Sequence, residues 1–212
     1  MNARSQDPRL TAIALNCTLK RGDAASSTDK LLGEVLAALA GHGVAGDIHR
    51  VANLAIAPGV TSDEGDGDEW PALRRKILAA DILVLGTPIW LGQPSSVAKR
   101  VLERMDAFLE ETDERGRMPP YGKVAVVAVV GNEDGAHHCH AEIFQALNDV
   151  GYTIPPGAGT YWVGEAMGSV DYTDLGGPHE KTQETTETLA ANAVHLARLL
   201  KADNYPGVGE EA

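Results

Sequence analysis

The sequence predicts a doubly wound α/β domain: a three-layer sandwich on a five-stranded parallel sheet in the order 2-1-3-4-5. Three observations carry this. Continuous apolar runs at residues 10–16, 81–86 and 123–130 read as strands covered on both faces, the signature of a parallel sheet. Helical patterns separate them, as right-handed crossovers require. Five strands in 212 residues, 43% of them apolar, suit one sizeable core and the five-stranded order better than the six-stranded dinucleotide order.

Each element has its own signal. Residues 10–16 (LTAIALN) are an apolar run closed by polar residues, and residues 17–27 follow as a polar loop with Gly22. From Thr28 to about residue 40, Leu31, Leu32, Val35, Leu36 and Leu39 share one helical face, and Gly41 and Gly43 end that helix. Residues 45–51 form a short second strand. Residues 52–69, rich in Gly, Asp, Pro and Ser, read as a mobile surface loop. A helix follows near 70–80, and then the clearest central strand, residues 81–86 (DILVLG). Residues 87–93 are a loop, and Pro94 and Ser95 open a long helix to about residue 110. Residues 123–130 (KVAVVAVV) are another buried strand, 131–135 a loop and 136–150 a helix ended by Gly151. A short strand lies within 153–163, around a Pro-Pro-Gly break. Residues 164–178 are a long loop and 179–201 the last helix. The expected organisation is a flexible polar stretch at 1–9, a single domain at 10–202 and a frayed acidic tail at 203–212.

Composition narrows the function classes. Eighteen basic against 30 acidic residues leave a net charge of −12, which argues against nucleic acid and against an anionic membrane surface. No apolar run reaches the length of a membrane span and the N-terminus lacks a signal-peptide pattern. Cys17 and Cys139 resemble no disulfide framework, so the expectation is a reduced, cytoplasmic protein.

In sheets of this kind ligands sit at the carboxyl ends of the strands, at the switch point between strands 1 and 3. That rule selects the loops at 17–28, 87–93 and 131–137. The first has the chemistry of a phosphate pocket. It leads into a helix N-terminus, where free N–H groups and the dipole favour an anion. Thr18, Ser26, Ser27 and Thr28 offer hydroxyls and Lys20 and Arg21 offer charge. The loop lacks the glycine patterns of triphosphate and dinucleotide sites, so a dianionic monophosphate suits it; helix capping alone is the plainer account. In the second loop Pro88 and Pro94 stiffen the chain, Gly92 permits close approach, and Ile89, Trp90 and Leu91 offer apolar surface to a planar ring. A plain turn with Trp90 in the core is the alternative. In the third, Asn132, Glu133, Asp134 and Gly135 could meet the polar edge of that ring, or form a turn with Asp134 as a cap.

Taken together, the hydroxyl-rich loop, the run DILVLGTPIWLGQPSSVAKRVLERMDAF and the Gly-rich loop after KVAVVAVV resemble the NAD(P)H-dependent FMN reductases of the flavodoxin-like proteins. The stretch G-[ST]-P-x-[WY]-x-G-x-P-[SA] at residues 86–95 is the most specific part, and the resemblance spans residues 11–163. It implies a flavodoxin-like fold with FMN as cofactor and NAD(P)H as co-substrate. Hydride would pass through FMN to a quinone, a flavin or a similar small acceptor, with no catalytic side chain, in a homodimer or homotetramer. It implies phosphate contacts at Thr18, Lys20, Ser26, Ser27 and Thr28, and ring contacts at Pro88, Ile89, Trp90, Leu91, Gly92, Asn132, Glu133, Asp134 and Gly135, with His137 beside the flavin. The family's G-S-x-R start is replaced by Asn16-Cys17-Thr18-Leu19-Lys20. The related iron–sulfur flavoproteins carry a compact cysteine motif that residues 55–68 lack, so a thiolate-bound cluster there is excluded.

Other constellations carry less. His137, His138, Cys139 and His140 invite a metal, but no second cluster completes a ligand set. The acidic run at 63–69 lacks the order of a calcium loop. The long loop at 160–178, with Tyr161, Trp162, Met167 and Tyr172, is a candidate cover for the flavin or a subunit contact. Two alternatives to a reductase stand: a flavodoxin-type electron carrier, which the acidic charge suits, and a flavodoxin-like binding protein that has lost FMN.

Overall fold

The period-two burial of the strands sets the layers. In a computed structural model, which describes residues 9–208, five parallel strands lie in the order β2-β1-β3-β5-β6. They are β1 (Thr11–Asn16), β2 (Ala45–Arg50), β3 (Ile82–Trp90), β5 (Val124–Gly131) and β6 (Gly159–Val163); β4 (Gln93–Pro94) pairs antiparallel with the end of β3. Counting the parallel strands alone, the order is the expected 2-1-3-4-5. Along β3, Ile82 and Val84 face one core while Leu83 and Leu85 face the other; β5 alternates likewise from Val124 to Val130. Both faces are therefore apolar, which is why these strands read as unbroken hydrophobic runs.

Helices close each face. The helices α1 (Ser27–Gly41) and α5 (Glu180–Ala202) cover one, through Leu31, Leu32, Val35 and Leu39 and through Leu189, Ala193 and Ala197. The helices α2 (Trp70–Ala79), α3 (Ser96–Met105) and α4 (Ala136–Asp149) cover the other, through Trp70, Leu73, Val101, Met105, Ile143 and Leu147. Caps fix two starts: the Ser26 hydroxyl accepts from the Asp29 N–H at 3.3 Å and the Ser95 hydroxyl from the Ala98 N–H at 3.1 Å, as helix N-termini require. No helix among the described residues is long and apolar enough to cross a membrane.

Three expectations change. First, residues 87–90 continue β3 rather than forming a loop, and a two-residue turn at Leu91-Gly92 folds the chain back onto Gln93 and Pro94. Second, the acidic loop is pinned rather than mobile. Arg104, with no exposed surface, pairs with Asp68 at 2.7 Å and donates to the carbonyls of Ala57 at 3.0 Å and Thr61 at 2.9 Å. Third, residues 203–208 lie back against the domain. The Tyr205 hydroxyl lies 3.0 Å from that of Thr153, its ring meets Tyr121 edge-on at 5.9 Å, and the Val208 N–H donates to Arg115 at 2.9 Å. The remaining residues assigned to the flexible N-terminus and acidic tail, 1–8 and 209–212, lie outside the described residues.

Candidate flavin site

Of the three loops at the carboxyl ends of β1, β3 and β5, the first two are stitched together by one serine. The Ser95 N–H donates to the Thr87 hydroxyl at 3.0 Å and the Ser95 hydroxyl donates to the Cys17 carbonyl at 2.6 Å. Burial holds the Cys17 thiol well above its ordinary range, so it is an inert packing group here. The first loop is closed from behind: Arg50 donates to the carbonyls of Gly22 and Ala24, and the Asn53 side chain accepts from the Gly22 N–H. Inside it, Asn16 accepts from the Thr18 N–H at 3.0 Å and donates to Asp29 at 2.8 Å. The Lys20 ammonium donates to the Ala25 carbonyl at 2.8 Å, bracing the loop.

These loops surround a cavity of about 480 Å³, within the range of small-molecule sites. Eleven of the fifteen expected residues line it: Thr18, Lys20, Ser26, Ser27, Thr28, Pro88, Ile89, Trp90, Leu91, Asn132 and Glu133. Ser26 uses its hydroxyl and carbonyl on Asp29 and Lys30. The first-turn N–H groups of Ser27 and Thr28 are therefore the donors left for a ligand, as at any helix N-terminus.

Four expected residues do not line the cavity, and each has a physical reason. A Cβ on Gly135, whose φ is +124°, would sit 2.7 Å from the Gly92 backbone. Gly92 and Gly135 are thus where the hairpin and the β5 loop touch. Asp134 is exposed, and the cap of α4 is Gly135, without a side-chain bond. The His137 ring packs edge-on against Tyr161 at 5.2 Å. The cavity also gains residues not assigned to it from sequence: Leu19, Val130, Gly131, Trp162, Met167 and Asp171. Trp162, Met167 and Asp171 all fall in the loop at 160–178 singled out as a cover, where Trp162 and Met167 were named and Asp171 was not.

The β5 loop contributes Gly131, Asn132 and Glu133 to the cavity lining. Asn132 donates to Asp171 at 3.2 Å and its carbonyl accepts from the Met167 N–H at 3.1 Å, which folds residues 164–171 over the cavity. Its side-chain oxygen is buried with no hydrogen-bond partner. A buried acceptor without a donor is costly, and this one belongs to a residue that lines the cavity.

Beside it, Glu133 accepts from the Leu91 N–H at 3.0 Å. Leu91 (φ 53°) and Gly92 (φ 74°) both have positive φ, as a type I′ turn demands and a leucine resists. Leu91 is 91% exposed, so it packs on nothing that offsets the strain. Leu91→Asn creates the favoured Asn-Gly turn. It is expected to raise stability by about 0.5–1 kcal/mol, read as a higher urea midpoint at unchanged slope; a lower midpoint would show that Leu91 supports the fold.

The histidines of the 137–140 run make separate contacts. Among the described residues no group of three or more His, Cys, Asp or Glu side chains is placed to hold a metal ion. His138 reaches Gln93 at 2.9 Å and Glu142 at 3.1 Å. His140 is buried between Phe144 and Tyr161 with its Nε2 unpartnered, and burial lowers its pKa from 6.5 to about 4. Because the folded value lies below the unfolded one, the unfolded chain binds the extra proton. This residue therefore removes stability as pH falls from about 6.5 towards 4, on the order of 3 kcal/mol in full. His140→Phe should flatten that part of the stability–pH curve in urea titrations; an unchanged slope would reject the assignment.

Fold and site together define a protein of the doubly wound class with a cavity at the carboxyl ends of β1, β3 and β5. Residues 10–168 match the family model for NADPH-dependent FMN reductase, and the chain belongs to that family. It is 35% identical over 206 residues to the 8-demethyl-8-aminoriboflavin-5'-phosphate synthase of Streptomyces davaonensis, covering 92% of this chain and 80% of that protein. It is also 42% identical over 200 residues to a protein of Mycobacterium bovis named divalent metal cation transporter MntH. That match covers 91% of this chain but 29% of the relative, so the chain spans under a third of its length. Among solved structures, RosB with bound 8-demethyl-8-formylriboflavin-5'-phosphate superposes with a TM-score of 0.84 at 35% identity, over 93% of this chain and 82% of that one. An NADH:FMN oxidoreductase superposes at 0.62 with 16% identity, over 96% and 97%, a likeness of fold.

Proposed function

We propose that the protein is an FMN-dependent oxidoreductase that takes electrons from NADH or NADPH and passes them to a quinone, a flavin or a similar small acceptor. The observation that carries this reading is the cavity itself. It joins unpaired helix N-terminal donors at Ser27 and Thr28 to an apolar chamber with one orphaned acceptor, the Asn132 Oδ1. That donor set fits FMN: phosphate at one end, a flat ring with a polar edge at the other. FMN, when bound, supplies the two-electron chemistry, since its ring rather than the protein carries the redox step.

The chain's own residues do the rest. The N–H groups of Ser27 and Thr28 hold negative charge at the head of α1, where the helix dipole adds to them. Asn132 accepts a ligand donor and fixes its orientation. Ile89 and Trp162, both buried, keep water from the chamber. Neither Cys139 nor His140 lines the cavity: the Cys139 thiol is pushed up to about 11 by burial, and His140 is enclosed among Phe144 and Tyr161. A cytoplasmic location, and a homodimer or homotetramer, belong to the same proposal; the two free, buried cysteines suit a reducing compartment.

A second reading is favoured by the similarity to RosB, whose bound molecule is itself a modified flavin phosphate. There the flavin would be the substrate altered and released. One experiment separates the two. The protein is loaded with FMN and its spectrum followed anaerobically with NADH or NADPH; the flavin is then released and its mass measured. Rapid bleaching and an unchanged flavin support the oxidoreductase. A changed flavin mass supports the second reading, and retained flavin that neither bleaches nor changes favours an electron carrier.

A further inference from the structure

Among the described residues, Leu91 (φ 53°) and Met167 (φ 62°) are the two non-glycine residues with positive φ. They come from different loops, 76 positions apart, yet both line the same cavity. Both are nearly fully exposed, at 91% and 96%. Each is held by one of two adjacent residues: the Met167 N–H by the Asn132 carbonyl and the Leu91 N–H by the Glu133 carboxylate. With Leu19 and Trp90, also exposed, they ring the mouth with large apolar groups from three loops. Exposed apolar groups gathered at a cavity mouth mark a binding surface.

Charge says what the surface accepts. Glu133 and Asp171 line the cavity as carboxylates. Lys20 is the one basic side chain among its lining residues, and its ammonium is occupied by Ala25. A bound flavin phosphate would add further negative charge. A second copy of this chain would bring the same carboxylates to the same mouth, and like charges oppose that contact.

We infer that Leu91 and Met167 form a clamp for the face of a second, planar and uncharged ring laid over the bound flavin, and that a negative charge carried on that ring is rejected. The inference rests on the flavin-binding reading above and narrows it: the electron acceptor is an uncharged planar ring. A nicotinamide nucleotide can meet the same rim with its phosphates directed out to solvent, whereas an anionic ring cannot move its charge away.

The test uses two probes of one shape, 1,4-naphthoquinone and its 2-sulfonate, titrated calorimetrically into protein whose FMN loading has first been recorded by absorbance. The neutral ring should bind at least roughly tenfold tighter at low salt, and the gap should shrink at 1 M salt, where the screening length is about 3 Å. Leu91→Asn, which leaves the fold intact or more stable, and Met167→Gly should each weaken the neutral ring by roughly tenfold, the scale of losing one buried aliphatic group. Protein that takes up no FMN overturns both the flavin reading and the clamp. FMN uptake with equal affinity for the two probes overturns the clamp alone, as does neutral-ring affinity indifferent to both substitutions. Light scattering that shows a dimer broken by Met167→Gly, with the neutral ring unbound, would assign the rim to a second copy and overturn it too.

Discussion

Arg104→Met is expected to cost about 3–5 kcal/mol of stability, the usual loss when one partner of a buried ion pair is removed. Arg104 has no exposed surface, and the side chain of Asp68 is 1% exposed. The guanidinium pairs with Asp68, donates to the carbonyls of Ala57 and Thr61 and lies 5.7 Å from the centre of the Trp70 ring. Removing it strands the Asp68 carboxylate and orphans two carbonyls. Burial alone would raise the Asp68 pKa, but the N–H groups of Glu64, Trp70 and Ala57, together with Arg104, hold it below the usual range. A depressed carboxylate adds stability above its unfolded pKa and loses it as pH falls through the folded one. The Asp68 contribution to stability should therefore persist until pH falls below the ordinary aspartate range, and in Arg104→Met it should be lost at higher pH. Urea denaturation checks the size of the effect. The double variant Arg104→Met with Asp68→Leu should recover most of the loss, because it leaves no unpaired charge. A single-variant loss under about 1 kcal/mol, small even for an ordinary substitution, would mean that the loop is held by its other bonds.

Ser27→Glu is expected to weaken FMN binding on the order of a thousandfold while leaving riboflavin affinity within about threefold. A carboxylate at the first residue of α1 would stand where a phosphate meets the helix donors. Two like charges about 4 Å apart near a protein surface repel by about 4 kcal/mol. Riboflavin carries the same ring without the phosphate, so it isolates the ring contacts from the anion site. Fold damage is not expected, since Ser26 remains the cap and glutamate is favourable in the first turn of a helix. Equal losses for FMN and riboflavin would move the phosphate elsewhere; no loss for either would place the flavin outside this cavity.

Much of this was legible along the chain. The layers follow from local pattern: strands covered on both faces cannot hide their apolar runs, and a helix with one covered face must show its stripe, as Leu31, Leu32, Val35 and Leu39 do. Once strands and helices alternate, the handedness of the crossovers places the carboxyl ends of β1, β3 and β5 together, and the loops picked out from sequence do surround one cavity. Gly92 and Gly135 were correctly singled out but for another reason: their missing side chains let two loops touch, a contact between positions 43 residues apart.

What the sequence determined by itself is therefore the fold, the end of the sheet where the cavity opens and the hydroxyl-rich helix start that suits a phosphate, because each depends on periodicity or on a single turn of chain. The tertiary structure alone decided the rest. It turned an acidic, glycine-rich stretch into a loop fixed on Arg104, 36 residues beyond its partner Asp68. It bent the end of β3 into a strained hairpin held by Glu133, and it brought Met167 and Asp171 over the cavity through Asn132. In each case the deciding bond joins segments distant along the chain, and a linear pattern carries no record of which polar group will meet which partner.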